Sequence, residues 1–365
     1  MKQPKIAIAG QSLTSYAVAA ALNKLGYNCT LIYDPQKPQF DGPSLVLNDV
    51  CETLLRELFG AIEFEQIGQP LSYRWVRWGP GAESERVPQP AWVISSAALL
   101  KQIRESEIMQ SVAIADESKI SHQELSRDYA WTVYRSQPPS AIALSENFDI
   151  WSGGERVMVT AKTLNHGMTR QDSCYIESLP DSWLFYAPFD EQSGMLQACL
   201  PIFPANPRKA LLETLYCSKL ISPLVAKLDQ VRCFPSAPGL QLPLYGDRWL
   251  RFGVKLDPIS GEGTPFALRT GILAAAVIDG ILKNTAIADD LLNHYQNRLT
   301  HSFLSHLQGC SQYYQLVFSN HELWQGEIHQ MIQTAQNLLS RLEQQTNPNL
   351  DYQLVGFKLH SLAKK

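Results

Sequence analysis

Residues 256–277 read LDPISGEGTPFALRTGILAAAV, a proline-led turn with two glycines that runs into a helix of small residues. Asp257-Pro258 sets an extended approach, because proline fixes its own φ and turns the preceding residue away from helix. Ser260, Gly261, Glu262, Gly263 and Thr264 then present backbone N–H groups where the helix starts. Those groups lack partners inside the helix and sit at the positive end of its dipole. The chemistry they suit is electrostatic: they stabilise negative charge that develops on a flat, electron-rich ring laid across the turn. Ala267, Thr270, Gly271 and Ala274 to Ala276 keep the helix slim enough to approach a sheet closely. Alone, the stretch also reads as a glycine-rich loop before an ordinary core helix.

A second candidate cradle lies near the N-terminus. PKIAIAG alternates into a buried strand, SYAVAAALNKLG has the spacing of a helix packed on a sheet, and NCTLIYD is a second strand. That is the context a dinucleotide fingerprint needs, but GxGxxG here becomes Gly10, Ser12 and Ser15. Gly10 permits the tight turn. Ser12 stands where bare backbone should approach a pyrophosphate, and Ser15 where helix and strand pack closely. The acidic residue that should grip the adenosine ribose falls at Tyr33, with Asp34 next, so Asp34 is assigned. Taken alone, the unit is either a nucleotide site or a plain βαβ.

The elements that must position these turns follow from patterning. PSLVLNDVCETLLRELFG is an amphipathic helix ending at Gly60, and AWVISSAALLKQIRES opens another at Ser95 or Ser96. SYRWVRWGPGAESERVPQP sets Tyr73, Trp75 and Trp78 against Arg74 and Arg77, as a strand with one wet face would, whether structural or substrate-facing. KISHQEL, YAWTVYRS and NFDIWSGGERV read as short strands, and residues 157–235 mainly as strands with one helix, PRKALLETLYCSKLISPLVAKL. From 265 onward the chain is helical. The fold class is therefore α/β: a discontinuous Rossmann-like domain (1–70, 90–156 and 236–285), an inserted, mainly antiparallel sheet domain (71–89 and 157–235), and C-terminal helices (286–365).

Composition narrows the function. The 365 residues are 45% hydrophobic and 18% charged, with a formal charge of −4 and a pI near 6.1. That balance gives no electrostatic case for nucleic acid or for an anionic membrane. The seven cysteines form no CxxC and read as reduced thiols, consistent with a cytoplasmic protein. No uninterrupted apolar run is long enough to span a bilayer, and the basic, apolar N-terminus breaks at Gln11, Ser12, Thr14 and Ser15 without a cleavage site. The eight histidines form no HxxxH or HExxH pattern, so no metal is assigned, and His301, His306, His321 and His329 read as surface residues.

The DPISGEG stretch resembles the segment DPxSGEG of flavoproteins with the p-hydroxybenzoate hydroxylase fold, which include aromatic monooxygenases, halogenases, geranylgeranyl reductases and lycopene cyclases. NFDIWSGGERV resembles a strand of that family, and DSWLFYAPFDEQSGMLQACLP its substrate-domain strand pair, over about residues 4–285. The resemblance implies FAD, with Gly10, Ser12, Ser15, Asp34, Asp257, Pro258, Ser260, Gly261, Glu262, Gly263 and Thr264 as cofactor-binding residues. It places Trp183, Tyr186 and Pro188 by the substrate and leaves the catalytic residues unknown. Chain length and the reduced glycine pattern resemble the short flavoproteins that mature tryptophylquinone enzymes. That implies hydroxylation of a tryptophan in a precursor protein, or of a small aromatic substrate, by reduced flavin and O2, with NAD(P)H as transient reductant and the cofactor carrying the hard step.

Three departures accompany the likeness. The family's Gly-Asp pair before the Asp-Pro, whose carboxylate binds the ribityl chain, is replaced by Leu250 and Arg251, or three residues are lost after Gly253; either way that carboxylate is missing unless Asp247 substitutes. With two fingerprint glycines also replaced, the expectation is weakly held FAD. The halogenase WxWxIP motif is absent. The competing readings are a polyprenyl reductase or cyclase on the same fold, which a mean hydropathy of −0.15 disfavours, and a cofactor-poor chaperone that binds the precursor.

Overall fold

The computed structural model describes residues 4–34, 45–120, 122–135, 148–166, 172–344 and 352–362. The chain opens with β1 (Lys5–Ala9), α1 (Leu13–Lys24), β2 (Asn28–Tyr33), β3 (Leu45–Leu47), α2 (Asp49–Phe59), α3 (Phe64–Ile67), β4 (Gly68–Arg77) and β5 (Glu85–Ile94). Next come α4 (Ser96–Glu105), α5 (Glu107–Gln110), β6 (Ala113–Asp116), α6 (His122–Asp128), β7 (Trp131–Tyr134) and β8 (Asp149–Ser152). The middle holds β9 (Val157–Asn165), β10 (Ser173–Ser178), β11 (Trp183–Pro188), β12 (Ser193–Leu200), α7 (Pro207–Cys217) and β13 (Val225–Pro235). Short strands β14 (Gly239–Leu242), β15 (Tyr245–Gly246), β16 (Trp249–Arg251) and β17 (Val254–Lys255) lead to α8 (Gly263–Lys283). The chain then forms α9 (Ala288–Phe318), α10 (Glu322–Glu343) and the hairpin β18 (Tyr352–Val355) and β19 (Lys358–Ser361).

A six-stranded sheet, ordered β15-β16-β7-β1-β2-β6, is parallel except at β15. Its strands come from three separated stretches, as a discontinuous Rossmann-like domain requires. Ile6, Ala7 and Ile8 of central β1 are fully buried, the signature of a parallel strand covered on both faces. The strand order reverses beside β1, which puts a crevice at the carboxyl ends of β1 and β7.

The second sheet runs β13-β9-β12-β11-β10-β4-β5-β3 and is antiparallel apart from the β4–β10 pair. It extends past the 71–89 and 157–235 spans, because all of β4 and β5 and the short β3 pair into it. One face packs under α7 through Leu184, Tyr186, Leu196, Leu211 and Leu215. The other face looks toward the parallel sheet.

Several local expectations give way to tertiary contacts. Leu45–Leu47 form a strand and not the start of a helix, and of KISHQEL, Lys119 ends a 3-10 turn while His122 to Leu125 belong to α6. The helix after Pro207 stops at Cys217. There the buried Glu177 carboxylate accepts from Ser218 Oγ and from the backbone N–H groups of Lys219 (3.2 Å) and Leu220 (3.0 Å), while Arg77 pairs with it at 2.7 Å. Those bonds hold a turn that local propensity does not specify. The small residues of α8 serve its approach to α1 and not to the sheet: a Cβ on Gly271 would lie 2.6 Å from Ala17 Cβ. Among the described residues α8 is also the one helix long and apolar enough to cross a bilayer, with 72% of its apolar window buried inside the protein.

Candidate active site

A cavity of about 780 Å³ lies between the crevice of the parallel sheet and the inner face of the large sheet. Ser12 and Thr14 of the first turn line it, and so do Asp257, Pro258, Gly261, Gly263 and Thr264 of the late turn. The two cradles expected from the sequence open on the same space. Closeness of α1 and α8 causes this, since the two helices touch along Gly271 and present their N-terminal ends side by side.

Gly10 adopts φ +106°, its N–H donates to Ile32 O at 2.8 Å, and an added Cβ would lie 2.9 Å from Arg135 Cβ. Ser12 caps α1: its Oγ accepts from Ser15 N–H at 3.1 Å and lies 2.9 Å from Ser15 Oγ. Ser15 itself is fully buried and does not line the cavity. One donor that a bound pyrophosphate could use is thus already satisfied within the helix. Asp34 directly follows β2 and is half-buried. A glycine N-cap costs only a few tenths of a kcal/mol relative to serine. Ser12→Gly therefore frees that donor and opens the backbone, and FAD is expected to bind several-fold more tightly by absorbance titration, with little change in thermal stability.

In the late turn Gly261 has φ +69°, and a Cβ at Gly261 or Gly263 would meet nothing within 4 Å. Asp257 caps the turn by accepting Ile259 N–H at 2.9 Å, but its carboxylate is turned away from the cavity toward the buried Arg156. Tyr314 Oη donates to it at 3.0 Å, and burial together with that carboxylate pushes the Tyr314 hydroxyl up, so it stays protonated. Asp257 thus braces the turn from behind. Glu262 is exposed at the N-cap of α8, and Ser260 Oγ donates to Asp257 O at 3.1 Å. His306, expected at the surface, is instead half-buried. Its Nε2 accepts the Asp257 N–H at 2.7 Å, and burial lowers its pKa toward the neutral form this bond needs.

Strand alternation decides which side chains of the large sheet reach the cavity. On β11, Trp183 and Phe185 line it, while Leu184 and Tyr186 point to the opposite face under α7. Tyr186 Oη donates to Asn165 Oδ1 at 2.6 Å, and Pro188 is buried at the strand end opposite Gly194. Of the three expected substrate residues only Trp183 is brought to the site. The register carries one wall row through Ile176, Phe185, Gln197, Thr160 and Arg232, and the next through Trp183, Cys199, Met158 and Phe234. Phe185 was findable from the sequence, since it shares parity with Trp183. Arg232 and Met158 were not, because their alignment depends on pairing across β9. On β4, Arg74 lines the cavity and Val76 shares its face, while Trp75 packs on the opposite side.

The position of the family's ribityl-binding carboxylate has no substitute in Asp247. Arg251 pairs with Tyr134 at the carboxyl end of the sheet, so Asp247 lies at the other end, with its side chain 94% exposed. Arg251 is fully buried, donates to Pro243 O at 2.8 Å and stacks over Phe148 at 4.4 Å.

No protein-family model and no curated protein matches the sequence. Solved structures do. A peptidyl tryptophan dihydroxylase essential for tryptophylquinone cofactor biogenesis is 18% identical, with a TM-score of 0.73 over 89% of this chain and 78% of that one. The chain has the fold of this enzyme. A myxobacterial FAD-dependent halogenase of chondrochloren superposes at a TM-score of 0.73, with 11% identity, over 96% of this chain and 92% of that one. The flavin-dependent halogenase CmlS gives 0.70 at 14% identity, over 98% and 75%.

Proposed function

We propose that the chain is an FAD-dependent monooxygenase that oxidises an aromatic ring. The observation that carries this reading is the convergence of two helix N-terminal cradles on one cavity with an aromatic and thioether wall. The fit to the cofactor rests on the open space before Gly261 and Gly263 and on a volume within the range of cofactor sites. The turn at Gly10 to Thr14 would hold the pyrophosphate, Asp34 the adenosine ribose, and Gly261 to Thr264 the ring edge. The bound cofactor supplies the electrons and the activation of O2. The chain's own part is to orient the ring, to supply N–H groups to its anionic edge, and to exclude water with Phe185, Met158 and Trp183.

The finer reading is that the substrate ring is a tryptophan of a precursor protein in tryptophylquinone maturation, with NAD(P)H as transient reductant. It is supported by the dihydroxylase likeness, which is distant. The cofactor-poor chaperone stays in view because Ser12 caps its own helix. Titration of the purified protein with FAD separates the two. Visible flavin bands that sharpen on binding, followed by NADH-dependent oxygen uptake, are expected. No spectral change up to millimolar FAD would leave only the binding role.

A further inference from the structure

We infer that the substrate of this cavity carries an acidic group beside its aromatic ring, and that Arg74 binds it. The inference rests on the proposed ring-oxidising function. Three arginines line the cavity: Arg74, Arg135 and Arg232. Arg135 flanks the Gly10 turn at the cofactor end, where its Nη1 donates to Gln11 O at 3.5 Å, and Arg232 has contacts of its own. Arg74 differs, because its Nε–H is buried and meets no acceptor among the described residues. Nearby arginines of the same hairpin are matched, Arg77 with Glu177 at 2.7 Å and Arg86 with Asp172 at 2.9 Å. The guanidinium interacts instead with the Cys174 thiol, a weak and uncharged acceptor that leaves the Nε–H unpaired, in a register row that continues through Ala187 and Met195. The lining carboxylate, Asp257, is taken up by Arg156 and Tyr314. A buried guanidinium donor without an acceptor is costly, and an arriving anion satisfies it with charge-assisted bonds.

The register also relates this cation to the ring platform. Arg74 pairs beside Cys174, and Ile176, two residues on, pairs with Phe185. Strand spacing then sets the Arg74 and Phe185 Cα atoms about 12 Å apart. A ring resting on Phe185 with a carboxylate on a short tether meets the Arg74 side chain part-way. Arg232 lies across four intervening strands from Arg74, on the other side of the Phe185 platform.

The acid can belong to a small aromatic acid or to a residue next to a target tryptophan. Calorimetric titration with matched probe pairs tests both: indole-3-propionate against its amide, and acetyl-Asp-Trp-amide against acetyl-Asn-Trp-amide. The acidic member is expected to bind about tenfold or more tightly. Arg74→Gln should collapse that ratio toward one, and Arg74→Lys should keep part of it. Preference in the small pair alone supports the proposal with a small-molecule source, and in the peptide pair alone with a protein source. No acid preference in either pair, or a preference that survives Arg74→Gln, overturns it. Circular dichroism confirms that the variants fold. The probes are read on the flavin-free chain, so failure of FAD to bind removes the monooxygenase reading without touching this result.

Discussion

The Arg156→Met protein is expected to lose about 3–5 kcal/mol of folding stability, the cost of removing one partner from a buried ion pair. Arg156 is fully buried. Its Nε donates to Asp257 Oδ2 at 2.7 Å, with Nη2 on the same oxygen, and its Nη1 donates to Glu327 Oε2 at 2.6 Å and to Gly153 O at 2.8 Å. Burial alone would lower its pKa, but Asp257 and the other neighbours outweigh that and raise it, so the charge persists. Without it two carboxylates stay buried with no cation. A lysine does not repair this, because one ammonium cannot reproduce a fork that bonds two carboxylates and a carbonyl. Urea denaturation should show the fall in midpoint at unchanged slope, in Arg156→Met and, to a smaller degree, in Arg156→Lys. FAD affinity should fall as well, because Asp257 holds the turn at Gly261. A loss below about 1 kcal/mol would mean that the network is not the brace of the turn.

The second large effect is expected at Gly271. A Cβ there would lie 2.6 Å from Ala17 Cβ, 2.9 Å from Thr14 O and 3.0 Å from Val18 N, and two of those atoms are backbone of α1. The helices must therefore part, since no side chain can swing aside. Gly271→Ala should cost about 1–3 kcal/mol, the usual penalty of overpacking, although alanine is the better helix former. The same displacement separates the Thr14 and Gly263 ends of the cradle, so FAD affinity should fall about tenfold or more. Gly309→Ala is the control. It lies in the interior of α9, where an added Cβ meets nothing within 4 Å, and is expected to be neutral or stabilising by up to about 1 kcal/mol. If both substitutions behave alike, close helix contact is not what aligns the two cradles.

How much was legible in advance follows the range of the interactions involved. The βαβ unit, the Gly10 turn, the Asp257-Pro258 turn and the alternating strands of residues 157–200 are specified by near neighbours and by period, and the structure contains them. Trp183 lines the cavity and Tyr186 does not because the two belong to opposite faces of one strand, and only a cover such as α7 identifies which face is inside. His306 was misassigned because helical spacing does not show that its ring meets a backbone N–H from residue 257.

By itself the sequence determined the fold class, the two glycine turns and their order along the chain, since φ restrictions and hydrophobic period act over a few residues. Tertiary structure alone decided that the turns share a cavity, that Arg74 and Phe185 both face it, and that Asp257 serves Arg156. Those outcomes depend on contacts between distant residues, such as Arg156 with Glu327, 171 positions apart. Local patterning limits which partners are possible, and the packing of α1 on α8 and of the two sheets selects among them.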